Sequence, residues 1–113
     1  MQTIKKAKLL RLHLGEDDRY NGKPLYEAIV NRCKELRIAG ATVFRGLEGF
    51  GETAEIRRHH LIKNDQPIVV TIVDTPENLA RLIPELEDMM DTGMIATSDV
   101  DYLRIEKPPA PGA

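Results

Sequence analysis

An α+β domain that runs strand, helix, strand, strand, helix, strand is predicted by three features of this chain. Two short runs, Lys8 to Leu14 and Pro67 to Val73, carry the two-residue spacing or continuous apolar character of strands. Two longer stretches, opened by Pro24 and by Thr75-Pro76, place apolar residues at three- and four-residue steps, as amphipathic helices do. Between them, Ala41 to Gly51 reads as a strand that runs out into a loop with three glycines within six residues. The resulting order is the split βαβ arrangement of ferredoxin-like domains, an antiparallel sheet with two helices on one face.

A chain of 113 residues supports one core and not two. The domain is expected to span residues 1–106. Lys107 to Ala113, with three prolines and no core-forming side chain, is expected to be a disordered tail. Sixteen basic and eighteen acidic side chains nearly cancel, so no overall field draws the chain to nucleic acid or anionic lipid. No apolar run has the length of a signal peptide or a membrane span, so membrane insertion is not expected and a cytoplasmic location is. The single cysteine, Cys33, lies in an apolar helical pattern and is expected to pack in the core.

Each element has its own justification. In the first strand Leu10, Leu12 and Leu14 share one face, and Leu9, Arg11 and His13 the other. Gly15 to Lys23 follows as a loop, marked by Asn21-Gly22 and by its lack of periodicity. Pro24 at the first helical position starts a helix with Leu25, Ala28, Ile29, Cys33 and Leu36 on one face, expected to end at Gly40. Glu52 to Gln66 is too polar for core and reads as an excursion between strands. Its adjacent His59 and His60 would point to opposite sides of an extended chain.

The run Pro67 to Val73 is apolar on both faces, with Ile68, Val70 and Ile72 on one and Val69 and Val73 on the other. Two helices can cover only one side of a small sheet, so the other is expected to meet a second copy of the chain. Thr75 is an N-cap before Pro76, and Leu79, Leu82, Ile83, Leu86, Met89 and Met90 form the stripe of the second helix. Pro84 interrupts that stripe, and a kink or break is expected there. After Asp91-Thr92-Gly93 and a short loop at Ala96 to Asp99, Val100 to Ile105 alternates as the last strand.

Glycine has no Cβ, so the Gly46 to Gly51 loop can bring backbone N–H groups close to an anion. Glu48-Gly49-Phe50-Gly51 resembles the segment where PII signalling proteins leave the sheet to begin their effector loop. Thr92-Gly93-Met94-Ile95 resembles the start of the PII loop that helps hold nucleotide phosphates. That PII loop continues glycine-aspartate-glycine-lysine, whereas Ala96-Thr97-Ser98-Asp99 here has neither glycine nor cation.

Three longer motifs are similar to a PII-like family, domain of unknown function 190. They are Gly15 to Tyr20 with Gly22 to Val30, Ala39-Gly40-Ala41-Thr42-Val43, and Arg45 to Gly51. The resemblance implies a ferredoxin-like, PII-like homotrimer. Its clefts between subunits would take a small-molecule effector, with an adenine nucleotide as the candidate, and it would signal to a partner protein. The ligand residues carried by these motifs are Glu16, Arg19, Tyr20, Lys23, Arg45, Gly46, Glu48, Gly49, Phe50 and Gly51. Arg19, Lys23 and Arg45 stand where they could supply the cation that the last loop lacks.

Other classes fit less of the sequence. A metal-binding structural trimer like the CutA proteins would draw ligands from Glu16, Asp17, Asp18, His59 and His60, which no metal-ligand spacing connects. An RNA-recognition domain would need sheet aromatics, and neither Leu9 to His13 nor Ile68 to Val73 has one. No nucleophile is paired with a base, so no enzymatic activity is expected.

Overall fold

In the computed structural model, which describes residues 4–47 and 66–107, the sheet is built on β1 (Lys5–Gly15). It is followed by β2 (Arg19–Tyr20), β3 (Lys23–Pro24), α1 (Leu25–Glu35), β4 (Ala41–Arg45), β5 (Pro67–Asp74), α2 (Pro76–Met89) and β6 (Met94–Tyr102). The four long strands pair in the order β4-β5-β1-β6, antiparallel throughout. Leu10, Leu12 and Leu14 of β1 and Ile68, Val70 and Ile72 of β5 join one buried cluster. Leu25, Ile29 and Cys33 of α1 and Leu79, Leu82, Leu86 and Met89 of α2 complete it. Both helices therefore cover the same side of the sheet, as the apolar alternation predicts.

Four details differ from the sequence expectation. The loop after β1 holds a small hairpin, β2 with β3, registered Arg19 to Pro24 and Tyr20 to Lys23. Asn21 and Gly22 form its turn with φ of 50° and 81°, the positive pair that a two-residue hairpin turn requires. Helix α1 ends at Glu35 rather than at Gly40. Arg37 takes φ 58°, and the Ile38 N–H donates to Cys33 O at 2.9 Å, a left-handed cap that buries Ile38 beneath it.

Helix α2 continues through Pro84 without the break that was one of the two outcomes expected there. Pro84 is exposed, while Leu82, Leu86 and Met89 are buried on the core side and hold the turns on either side of it. Strand β6 begins at Met94 instead of Val100 and ends at Tyr102. Over its whole length it is an edge strand paired with β1, from His13–Met94 to Lys5–Tyr102. Lys8 reaches Asp99 at 2.8 Å and Lys6 reaches Asp101 at 3.2 Å. Local hydropathy carries no trace of such a strand, because its partner and not its core face defines it.

The face away from the helices shows three rows across the register. One runs Phe44, Val69, His13, Met94; the next Thr42, Thr71, Arg11, Ala96; the last Val73, Leu9, Ser98. Phe44 and Met94 are 55% and 53% exposed. Among the described residues no helix is long and apolar enough to cross a membrane. The excursion from Glu52 with His59 and His60, and all of the proline-rich tail beyond Lys107, lie outside the described residues.

Candidate functional site

Strand β4 is an edge strand of five residues, about 17 Å long, and polar groups gather at both of its ends. At the Arg45 end it meets the close of β1 and the opening of β5. The Arg45 guanidinium pairs with the Glu16 carboxylate. Glu16 N–H donates to Gln66 O at 2.9 Å, and Gly46 N–H donates to Pro67 O at 2.7 Å. The Gln66 amide, oriented with its nitrogen inward, donates to Gly46 O and Leu47 O at 2.9 Å each.

A Cβ on Gly46 would stand 2.8 Å from Pro67 Cγ, so glycine here permits the close pairing of β4 with β5. Its N–H serves that pairing in this conformation. Anion contact by the Gly46 N–H, which the glycine pattern suggested, would require the bond to Pro67 to open.

The remaining predicted residues distribute as follows. Arg19 and Lys23 are exposed on the hairpin, and Arg19 borders a shallow cleft with Asp17, Asp18, Asp91 and Thr92. Tyr20 packs on the core and helps Glu85 hold the Arg32 guanidinium. Glu48, Gly49, Phe50 and Gly51 lie outside the described residues. Asp18 ties the hairpin down: its carboxylate accepts from Gly15 N at 3.0 Å and its carbonyl from Leu25 N at 2.8 Å. Among the described residues no cluster of three or more His, Cys, Asp or Glu side chains could hold a metal ion. Burial pushes the Cys33 thiol up to about 11, so it stays protonated and unreactive near neutral pH.

The other end of β4 carries groups that the sequence reading did not assign to the site. A cleft of about 420 Å³ lies there, lined by Gly40, Thr42, Thr71, Asp74, Tyr102 and Arg104 among others. Clefts of this size take small organic ligands. Asp74 is buried and organises it: its carboxylate accepts from Ala39 N at 2.9 Å, Thr75 N at 2.7 Å and Asn78 Nδ2 at 2.9 Å. Arg81 braces the same corner, donating to Leu36 O at 3.0 Å and Asn78 Oδ1 at 3.1 Å. The motif Ala39 to Val43 was the only sequence signal of this cleft. Asp74 and Arg104 join it only through the sheet.

Burial alone would raise the Asp74 pKa, but the bonds from Ala39, Asn78 and Thr75 and the nearby Arg81 together hold it below the usual carboxylate range. A depressed folded pKa contributes stability above the unfolded pKa, and that contribution fades as pH falls through the folded value. Asp74→Asn is expected to cost about 2 kcal/mol at neutral pH, since the carboxamide cannot accept from all three donors. Urea denaturation at about pH 7 and about pH 3 is expected to show a smaller acid-dependent loss in the variant than in the wild type. Equal losses would remove Asp74 as an acid-sensitive tie.

An antiparallel four-stranded sheet with two helices on one side and a ligand-sized cleft at its edge strand defines the class: the fold is that of PII-like proteins. The apo form of CPII from Thiomonas intermedia K12, a nitrogen regulatory PII-like protein, matches it with a TM-score of 0.65 at 14% identity. That match covers 93% of this chain and 100% of CPII. The same protein bound to ADP, AMP and acetate matches with a TM-score of 0.60 at 18% identity, over 90% of this chain and 93% of the other. A UPF0166 protein of Aquifex aeolicus (strain VF5) is 40% identical over 105 residues, which are 91% of this chain and 98% of that protein. The family DUF190, described as Uncharacterized ACR, COG1993, matches residues 7–102, and the chain belongs to it.

Proposed function

We propose that the protein is a PII-like regulator, a binding module and not an enzyme. It assembles as a homotrimer through the helix-free sheet face and binds an adenine nucleotide in clefts between subunits. The observation that carries this reading is the sheet face itself: Leu9, Val69, Val73, Phe44 and Met94 lie on the side that neither α1 nor α2 covers, among the described residues. Surfaces of this kind are covered by a partner, most often by further copies of the chain in closed symmetry. A neighbouring copy on that face closes the edge along β4, at whose opposite ends lie the Arg45 group and the Asp74 cleft.

The ADP and AMP bound by CPII supply the ligand class. Arg45 and Arg104 are the cations at hand for its phosphates. The bound state is read by a partner protein in the cytoplasm. Calorimetric titration with ADP and with AMP, alongside light scattering, tests the reading. Saturable binding by a species of three subunits is expected. A single-subunit mass with no heat from either nucleotide overturns it.

A further inference from the structure

We propose that Glu16 is a built-in competitor for the Arg45 guanidinium, so that a phosphate-bearing ligand must displace a carboxylate of the protein itself before Arg45 can hold it. The inference rests on the reading of β4 as the wall of an anionic ligand's cleft. It deepens that reading by naming what regulates the affinity there.

The geometry is specific. Arg45 is the last residue of the edge strand, and its side chain is 56% exposed, while the Glu16 side chain that pairs with it is only 25% exposed. Glu16 is fixed from behind. It follows the last residue of β1, its N–H is bonded to Gln66 O, and the adjoining Gly15 registers with Pro67. The carboxylate is thus placed at the guanidinium, while over half of the Arg45 side chain remains exposed.

A guanidinium presents its donors in a planar fork that fits a carboxylate and a phosphate in the same way. An arriving phosphate therefore meets a fork already engaged by a negative charge. Sharing it brings two anions into contact, and displacing Glu16 leaves a mostly covered carboxylate without its cation. Both routes weaken binding relative to a free arginine. Only a ligand with enough additional contacts to the cleft overcomes that cost. Scattered monovalent anions do not, so the pair acts as a filter as well as a brake.

The test compares wild type, Glu16→Gln, Arg45→Ala and the double variant by calorimetry with two probes, ADP and inorganic pyrophosphate. Glu16→Gln keeps the shape of the side chain and lies outside the core, so thermal melts are expected to remain close to wild type. It is expected to bind both probes about fivefold more tightly or better, because the repulsion is gone and the guanidinium is free. Arg45→Ala is expected to bind both more weakly, and adding Glu16→Gln to it is expected to give no further gain.

If wild type binds ADP and Glu16→Gln gains nothing, the competition is wrong and the nucleotide reading stands. If wild type shows no ADP binding but Glu16→Gln gains pyrophosphate affinity through Arg45, the nucleotide reading fails and the competition stands. A gain that survives in the Arg45→Ala background also overturns the proposal, since Glu16 would then act on some other cation.

Discussion

Val69→Glu is expected to leave each subunit folded but separate. Val69 sits in the row Phe44, Val69, His13, Met94 on the side of the sheet opposite the helices, and its neighbours Ile68 and Val70 supply the core contacts of β5. The substitution therefore removes nothing from the buried cluster, and the circular dichroism spectrum is expected to match wild type. In a closed assembly every copy would bring the same carboxylate to the same covered surface. Burying each of these like charges costs several kcal/mol, enough to undo association at micromolar protein. Light scattering is expected to report one subunit, and ADP binding is expected to vanish with the clefts between subunits. Wild-type mass in the variant would place the contact elsewhere and remove the physical basis for the proposed ligand pocket.

Gly93→Ala is expected to be the most destabilising single-methyl change near the candidate site, at about 2–4 kcal/mol. Gly93 holds φ at 133°, a region that residues with a Cβ rarely enter. An added Cβ would also lie 2.9 Å from His13 O and 2.6 Å from Met90 Cε. The methionine end can swing away. The His13 carbonyl cannot, because it belongs to the β1 strand that pairs with β6 at His13–Met94. In a domain of this size the loss corresponds to a fall in Tm of about 10 °C or more. An unchanged Tm would mean that the turn into β6 relaxes freely, contrary to this account. The glycine that resembles part of a phosphate loop is thus required first by the backbone of the sheet.

The parts of the fold that were legible in the sequence are those whose signal is local. Leu10, Leu12 and Leu14 against Leu9, Arg11 and His13 give a strand its inner and outer faces with no knowledge of its neighbours. Thr75 before Pro76 announces a helix start, and Asn78 N does donate to Thr75 Oγ1 at 3.1 Å. That the described helices leave the Val69 and Val73 side of β5 uncovered followed from counting two helices against a strand apolar on both sides. Where the signal is not local, the reading missed. Ala96 to Asp99 has the composition of a loop, yet antiparallel pairing with β1 makes it part of a strand.

The candidate site divides along the same line. Glu16 and Arg45 were both named from their motifs, but no spacing rule says that they touch; the ends of β1 and β4 converge only when β5 is laid between those two strands. The cleft of Gly40, Thr42, Asp74 and Arg104 is likewise assembled from three separate stretches of chain.

The amino-acid sequence by itself determined the two helices, the core strands with their buried faces, and the membership in a PII-like family. These follow from periodicity, caps and contiguous motifs, all of which act over a few neighbouring residues. Only the tertiary structure decided that Glu16 pairs with Arg45, that Asp74 braces the cleft, and that Gly46 and Gly93 serve backbone packing. Each of these depends on strands brought side by side by the core, where a distance in space has no counterpart in the order of residues.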